Sequence, residues 1–569
     1  MMRQRKRFSI TINHHYFGHG PLAIASVKIL IATYRWIDEN ILELGRELRL
    51  SYLPPLMVYV AYGVSGLTGI VGTFFVKDYL GLSAAFLAAL GFWVGIPWAL
   101  KMPLGHIVDL FWRWKSILVY IGASLIATSL LIMVGLLTDR AAMTAMMPAE
   151  AWFVLSALLS PVGYVVQDVV ADAMTVEAVP RVDEEGRPVP PEIRKLMNTT
   201  MQTLGRVALI GGLALVGAVN LYLFADVGRF SEAEKVAIYR QVYTLALFIP
   251  LISVAGVFIA YLLKQRDIRR LVARGMVREE AETLYGPPEV RPAPNWWILG
   301  GSLAFVVFTL GMGFSPLPFN QEIIFAGSFA IVAFLIGKLT RELEPAARAT
   351  LIGTAVVVFI YRAIPSTGEG FSWWLIDGLG FDQRFLALLS LISSLLTIFG
   401  MFIFRRFMAE RSIAYVIGFL TVCGFVLGAP YIGMYYGMHE WTASVTGGVV
   451  DARFIALVNT AVESPLGQIA MIPMLAWIAN SAPEHLKATF FAIMASFTNL
   501  ALSLSQLGTK YLNQIFTVTR EVKDPATGAI KMAADYGDLG WLLITATVLG
   551  LLLPFIAILF ARVTRFRSA

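Results

Sequence analysis

One cysteine, Cys423, occurs in 569 residues, which excludes an internal disulfide and any cysteine-built metal site. Charge is scarce as well: Asp, Glu, Lys and Arg make up 15% of the chain, against about a quarter in soluble domains. The six histidines show no metal-ligand spacing. His-Glu-x-x-His, Gly-x-Ser-x-Gly and a phosphate-cradling Gly-Lys-Ser/Thr are all missing. These absences argue against an enzyme, and no catalytic residue, metal or cofactor site is assigned. The basic opening Arg3-Gln-Arg5-Lys6-Arg7 has no small-residue cleavage site behind it, so residues 1–50 are expected to stay as a tail, not to act as a removable signal.

What the chain has instead is apolar length. It is 57% hydrophobic, with a mean hydropathy of +0.70. Windows of about 20 apolar residues, the length that crosses the hydrocarbon of a bilayer, recur along it. They predict helical spans near 55–76, 84–108, 116–137, 152–178, 198–224 and 241–263. Further spans fall near 296–314 and 322–338, then 349–364, 385–404, 412–437, 452–478, 486–512 and 541–561. The expected fold is all-α and polytopic, with about fourteen transmembrane helices. With a cytoplasmic N-terminus, the inward-facing connectors and tails hold 31 of the 45 Lys and Arg, as the positive-inside tendency requires. The net charge of +7 therefore reads as membrane orientation, not nucleic-acid affinity. Both termini are expected in the cytoplasm, and the chain in the inner (plasma) membrane. Residues 21–50 read as an amphipathic helix on the inner leaflet, 264–295 as a cytoplasmic linker, and 516–538 as an external hairpin.

A repeat organises these spans. Asp78-Tyr-Leu-Gly-Leu-Ser-Ala-Ala-Phe-Leu-Ala-Ala-Leu90 aligns without gaps on Asp377-Gly-Leu-Gly-Phe-Asp-Gln-Arg-Phe-Leu-Ala-Leu-Leu389, with seven of thirteen positions identical. Both segments follow one span and open the next. The chain then divides into a tail 1–50, a six-helix half 51–263, the linker 264–295, an inserted helix pair 296–340 and a second six-helix half 341–569. Two like-oriented halves around a midplane site describe the major facilitator architecture. Gly105-His-Ile-Val-Asp109-Leu-Phe-Trp-Arg113, joining the second and third spans, fits that architecture's inner-gate motif with Leu110 in place of its first arginine. Gly105, Asp109, Arg113 and the helix-end Glu177 form the candidate inner gate. Ordinary anchoring by Arg113 and Lys115 is the plainer alternative.

The chemistry is concentrated in Asp168-Val-Val-Ala-Asp172, inside an otherwise apolar span. A charge near the bilayer centre costs about 2.5–3.5 kcal/mol on insertion scales, so it needs a reason. Asp168 and Asp172 share one helix face. Lys101 lies about as deep in its own span as Asp168 does in its, at about 1.5 Å rise per residue, so the two can pair. Such a pair would either carry protons and hold an anionic group or fix helix register permanently. Arg206 and Arg362 are further intramembrane cations, and Arg362 would fork onto a carboxylate or snorkel to the surface. Gln167, Gln468, Asn499 and Gln506 would read a donor–acceptor edge or bond between helices. Tyr62, Trp98 and Tyr164 would stack a flat ring or merely fill the bundle.

Asp168-Val-Val-Ala-Asp172-Ala-Met-Thr-Val-Glu177 resembles the fourth-span signature of the folate–biopterin transporter family, a branch of the facilitators. Tyr62-Gly-Val-Ser-Gly66 with Lys77-Asp-Tyr-Leu-Gly-Leu-Ser83 is similar to that family's first span and following loop. Pro97-Trp-Ala-Leu-Lys101-Met-Pro103-Leu-Gly105, Tyr361-Arg362, Pro365-Ser-Thr-Gly368 and Lys487-Ala-Thr489-Phe-Phe-Ala492 with Asn499 resemble it elsewhere. The inserted spans 296–338 lie outside the family's twelve-span pattern. The resemblance implies a secondary transporter of a medium-sized organic anion, folate- or pterin-like, coupled to protons by alternating access. A permease for muropeptides or another solute, and a non-transporting assembly factor on the same scaffold, are the rival readings.

Overall fold

Pro54 and Pro55 stand in the first turn of the first helix, where proline's missing N–H removes no hydrogen bond. From there helix follows helix. The computed structural model describes residue 34 and residues 48–564, apart from 81, 100, 112–113, 181–186, 188, 285–293, 314, 316, 343, 472, 475–476, 478–486 and 524–529. Residues 51–569 form one compact unit; residues 1–50 form another, and the amphipathic helix expected at 21–50 lies almost wholly outside the described residues.

The first half contains α1 (Leu53–Val64), α2 (Gly69–Tyr79), α3 (Ala84–Ala99), α4 (Lys101–Leu110) and α5 (Lys115–Thr138). It continues with α6 (Ala149–Ala178), α7 (Pro191–Leu223), α8 (Glu232–Ala246) and α9 (Phe248–Ala273). Between the halves come α10 (Trp296–Gly313) and α11 (Asn320–Leu339). The second half contains α12 (Pro345–Arg362), α13 (Glu369–Asp377), α14 (Gln383–Ile403), α15 (Ile413–Tyr435), α16 (Ala452–Glu463), α17 (Lys487–Ile515) and α18 (Leu539–Val563). A two-stranded antiparallel hairpin, β1 (Val522–Lys523) and β2 (Ile530–Met532), joins the last two helices. The end of the bundle bearing this hairpin is called the hairpin side, and the opposite end, where α9 finishes at Ala273, the linker side.

The repeat survives as geometry. Helices α3 and α14 start at Ala84 and Gln383, the same spacing that separates Asp78 from Asp377. At that spacing Tyr62 corresponds to Tyr361, and both precede an irregularity: a 3-10 turn at Ser65–Thr68 in the first half, a non-helical break at 364–368 in the second. The break ends on Gly368, at φ +69°, a conformation that costs glycine nothing. Each half thus opens with an interrupted helix, which frees backbone polar groups only where protein or a water-filled cavity can satisfy them.

Among the described residues, ten helices are long and apolar enough to cross a membrane, with two shorter apolar ones at 84–98 and 299–313. The expected count of fourteen needs qualifying at three places. The second span is described as α3 and α4, on either side of residue 100, with Pro97 inside α3. The span expected at 452–478 is helical as α16 only to Glu463, then tightens into a 3-10 turn at Ser464–Leu466, because Pro465 cannot donate to an α-helical ladder. Helix α17 carries a long polar face, and α10 is short.

Helices α1 and α7 touch backbone to backbone. A Cβ on Gly63 would sit 2.0 Å from the Leu209 carbonyl oxygen, whereas one on Gly211 would meet nothing within 4 Å. Gly63→Ala is therefore expected to destabilise the first half by about 1–3 kcal/mol, the usual range for overpacking. Gly211→Ala should be neutral or better. Thermal unfolding of both variants in detergent checks this.

The inserted pair docks on both halves. Glu322 at the start of α11 takes the Lys510 ammonium of α17 at 2.9 Å and the Tyr511 hydroxyl at 2.6 Å. The neighbouring Gln321 amide donates to the Ala89 carbonyl of α3 at 3.1 Å.

Candidate functional site

Lys101 is the first residue of α4, and its ammonium reaches two carboxylates on α6: Asp168 at 2.6 Å and Asp172 at 2.7 Å. The i, i+4 spacing on one helix makes this shared contact possible. The second oxygen of Asp172 accepts the Tyr59 hydroxyl of α1 at 2.8 Å. The side chains of Lys101 and Asp168 are 17% and 14% exposed, that of Asp172 42%. Asp172 is therefore the member open to solvent or substrate. Sequence reasoning anticipates the Lys101–Asp168 pair, but treats Asp172 separately and passes over Tyr59, whose hydroxyl carries no local signature in an aromatic-rich helix.

Arg206 of α7 lies within electrostatic range of Asp168, Tyr59 and Tyr62, and of Arg362 at the end of α12. Two cations, one from each half, thus share a field. Arg362 donates to the Thr498 carbonyl at 3.1 Å and to the Met471 sulfur at 3.4 Å. Neither partner is charged, and among the described residues no carboxylate is paired with Arg362 or Arg206. Counting formal charges, Lys101 and Arg206 balance Asp168 and Asp172, and Arg362 stands one positive charge over. That surplus suits an anion.

Tyr62 packs against Trp98 and Tyr164, each pair with ring centroids 5.5 Å apart, beside the Lys101 cluster. Asn499 of α17 donates to the Trp98 carbonyl at 3.2 Å, tying the two halves together at this level. Gln167 is fully buried and donates to the Val119 carbonyl of α5 at 3.2 Å. Gln468 follows the 3-10 turn after α16 and is half-exposed.

On the linker side, Glu177 at the end of α6 meets Lys115 at the start of α5 at 2.5 Å. The sequence alone points Glu177 at Arg113 or at the 181–195 segment. Arg113 lies outside the described residues, as does the Asp109 side chain. Lys115 instead starts the very helix that packs along α6, which puts it nearest. Gly105 lies on α4, next to His106, whose Nε2 accepts the Asn295 backbone N–H at 3.0 Å.

The hairpin side is closed by contacts that sequence reasoning did not find. Arg520, 2% exposed, reaches from the hairpin segment to the end of α2. It donates to the Val76 and Lys77 carbonyls at 3.0 and 2.9 Å, and also to the Leu80 and Leu82 carbonyls. Its guanidinium carbon lies 4.4 Å from the Trp373 ring centroid. Burial draws its pKa down to about 10, with Asp78 and Asp377 acting in the opposite sense, so it stays charged at neutral pH. Lys77 bridges to Asp377 at 2.6 Å, which also accepts the Tyr536 hydroxyl at 2.5 Å. Gln383 and Arg384 reach Tyr239 and the Ala225 carbonyl, at 2.8 and 3.0 Å.

The sequence profile of the BT1 family matches residues 230–566. The chain belongs to the BT1 family. Its Asp168–Glu177 signature resembles the same folate–biopterin group. A Synechocystis protein, the Folate-biopterin transporter of strain ATCC 27184 / PCC 6803 / Kazusa, is 24% identical over 489 residues, which cover 85% of this chain and 79% of that protein. The Putative folate transporter 2 of Plasmodium berghei is 25% identical over 167 residues, 28% of this chain and 34% of its own. Solved structures of POT family transporters, one with a thioalcohol-conjugated peptide and one with 5-aminolevulinic acid, superpose with TM-scores of 0.54 and 0.55. They cover 90% of this chain and 96% and 95% of their own, at 12% and 13% identity. That likeness shows the fold. This BT1 family member is a multi-pass membrane transporter with the two-half facilitator fold.

Proposed function

We propose that this BT1 family member carries a medium-sized organic anion, folate- or pterin-like, together with protons, by rocking its two halves about the Lys101 cluster. The observation that carries the reading is one ammonium shared by two intramembrane carboxylates, with Arg206 and Arg362 facing the same region from opposite halves. A substrate carboxylate drawn to Arg206 and Arg362 would screen Arg206's field at Asp168. Asp168 would then favour a proton, so anion and proton would load together and leave together. The relatives' names support a folate or biopterin cargo. The positive-inside count supports a cytoplasmic linker side, in the plasma membrane, with both termini inside.

The test is uptake into proteoliposomes of labelled folate, a pterin and a muropeptide, with and without an inward proton gradient. Gradient-dependent uptake of folate or pterin, saturable and lost in Arg362→Gln, is the expected result. Transport of the muropeptide alone would transfer the reading to a cell-wall-fragment permease. No transport of any solute would favour a scaffold role.

A further inference from the structure

No charged residue stands between Arg240 and Lys264. At about 1.5 Å per residue, that stretch of α8 and α9 spans about 36 Å, enough to cross the hydrocarbon of a bilayer. The residues that follow on α9, Lys264 to Arg270, therefore stand at the headgroup level of the linker-side leaflet.

One face of α9 runs through both zones. Phe248, Leu251, Phe258 and Leu262 recur on it at helical spacing, 49 to 62% exposed, and look out at lipid. The face then turns cationic: Leu262, Gln265, Arg266, Arg269, Arg270 and Ala273 line one hollow of about 320 Å³. The opposite side of the helix is closed, because Ile268 and Leu271 are buried with Ala281 of a short helix, Arg278–Leu284. Arg266 is held by Asp267 at 2.9 Å. Arg269 and Arg270 are exposed and, among the described residues, meet neither an acid nor an aromatic ring. On the short helix, Glu282 is taken by Arg278 at 2.8 Å. Two other cations at this end of the bundle are covered. Lys338 lies 4.4 Å from the Trp297 ring centroid, and Arg411 5.2 Å from that of Tyr415.

We infer that this face of α9 is a binding site for an anionic phospholipid of the linker-side leaflet. The lipid phosphate lies against Arg269 and Arg270, whose planar forks match phosphate oxygens. An acyl chain follows Leu262 and Phe258 toward the bilayer centre. The occupant is a lipid and not a free anion, because the cationic patch continues the lipid-facing stripe without a break. Each basic residue at that depth is worth about fivefold in affinity for an anionic lipid surface.

Thermal unfolding of the purified full-length protein in a nonionic detergent, titrated with three probes, tests this. They are dioctanoylphosphatidylglycerol, dioctanoylphosphatidylcholine and glycerol 3-phosphate, the last an anionic headgroup without chains. A ligand of the folded form raises the unfolding temperature as it fills its site. The phosphatidylglycerol should do so saturably, and the other two should not at the same concentrations. Arg269→Gln with Arg270→Gln should raise the half-saturating phosphatidylglycerol concentration about 25-fold, fivefold for each guanidinium. It should leave the lipid-free unfolding temperature, which reports the fold, unchanged. Arg229→Gln with Arg240→Gln removes the same charge at exposed positions on the hairpin side and should leave the titration where it was. No response to phosphatidylglycerol, an equal response to both lipids, or an unchanged titration in the α9 variant overturns the site. So does an equal shift in the two double variants, which would reduce the effect to net charge. Glycerol 3-phosphate acting at the concentrations of phosphatidylglycerol would make the patch a soluble-anion site and overturn the lipid assignment.

Discussion

Asp168→Asn should transport without accumulating. Under an imposed proton gradient the wild type gains about tenfold in accumulation per pH unit for each proton carried, since one pH unit is worth about 1.4 kcal/mol. In the amide variant the gradient should do nothing, and internal substrate should level at the external concentration. Exchange of labelled for unlabelled substrate needs no net proton movement, so it should persist. The variant should fold, because Asp172 still holds the Lys101 ammonium at 2.7 Å. Lys101→Ala is the harsher change. It leaves Asp168 and Asp172 on one helix face without their shared cation, and removing one member of a buried pair costs about 3–5 kcal/mol. Lys101→Ala with Asp168→Asn should recover part of that stability, because the two residues are in contact and their effects cannot add. It should recover none of the accumulation. Proteoliposome uptake and exchange, run beside thermal unfolding, separate the two quantities. Persistent gradient-driven accumulation in Asp168→Asn would remove this residue from the coupling path.

How much of this could be read from the chain alone depends on distance along it. Apolar runs announced the helices, because burial in lipid imposes length on every crossing segment. The Lys101–Asp168 pair was legible for the same reason: a constant rise per residue converts position within a span into depth. The second contact to Asp172 required knowing which way the Lys101 side chain leaves its span, because depth alone places an ammonium beside one carboxylate and not between two. Arg520 was beyond reach altogether. It bonds to carbonyls 443 residues away, and backbone acceptors carry no side-chain signature. Asp377 stood in view within the repeat, yet its partner Lys77 corresponds to an isoleucine, Ile376, in the other half, so symmetry could not point to the pair.

Removing the Arg520 side chain is expected to open the hairpin side. Four carbonyls at and just beyond the end of α2 converge on that guanidinium. They carry the partial negative charge of a helix terminus, and the Val76 carbonyl also takes the Leu80 backbone N–H at 3.3 Å. Trp373 adds a cation–π contact from the second half. These bonds hold the halves together only while that end is shut, so they stabilise one of the two shapes and not the other, the condition for shifting a population. Hydrogen bonds to a charged group are worth about 1.5–3 kcal/mol, and losing about 3 kcal/mol moves a two-state equilibrium by roughly a hundred-fold. Arg520→Ala should therefore favour the form open on the hairpin side. Spin labels at Arg229 and Glu440, both exposed and in opposite halves, should move apart, in a background where Cys423 is replaced so that no other thiol reacts. Arg520→Lys should behave like Arg520→Ala, since a single ammonium cannot span carbonyls that the planar guanidinium reaches together. Lys77→Ala, which breaks the 2.6 Å bridge to Asp377, should shift the distances in the same direction but less, because Tyr536 still occupies that carboxylate. Unchanged distances in all three variants would mean that the close packing at Gly217 and Leu391 holds this end shut without them.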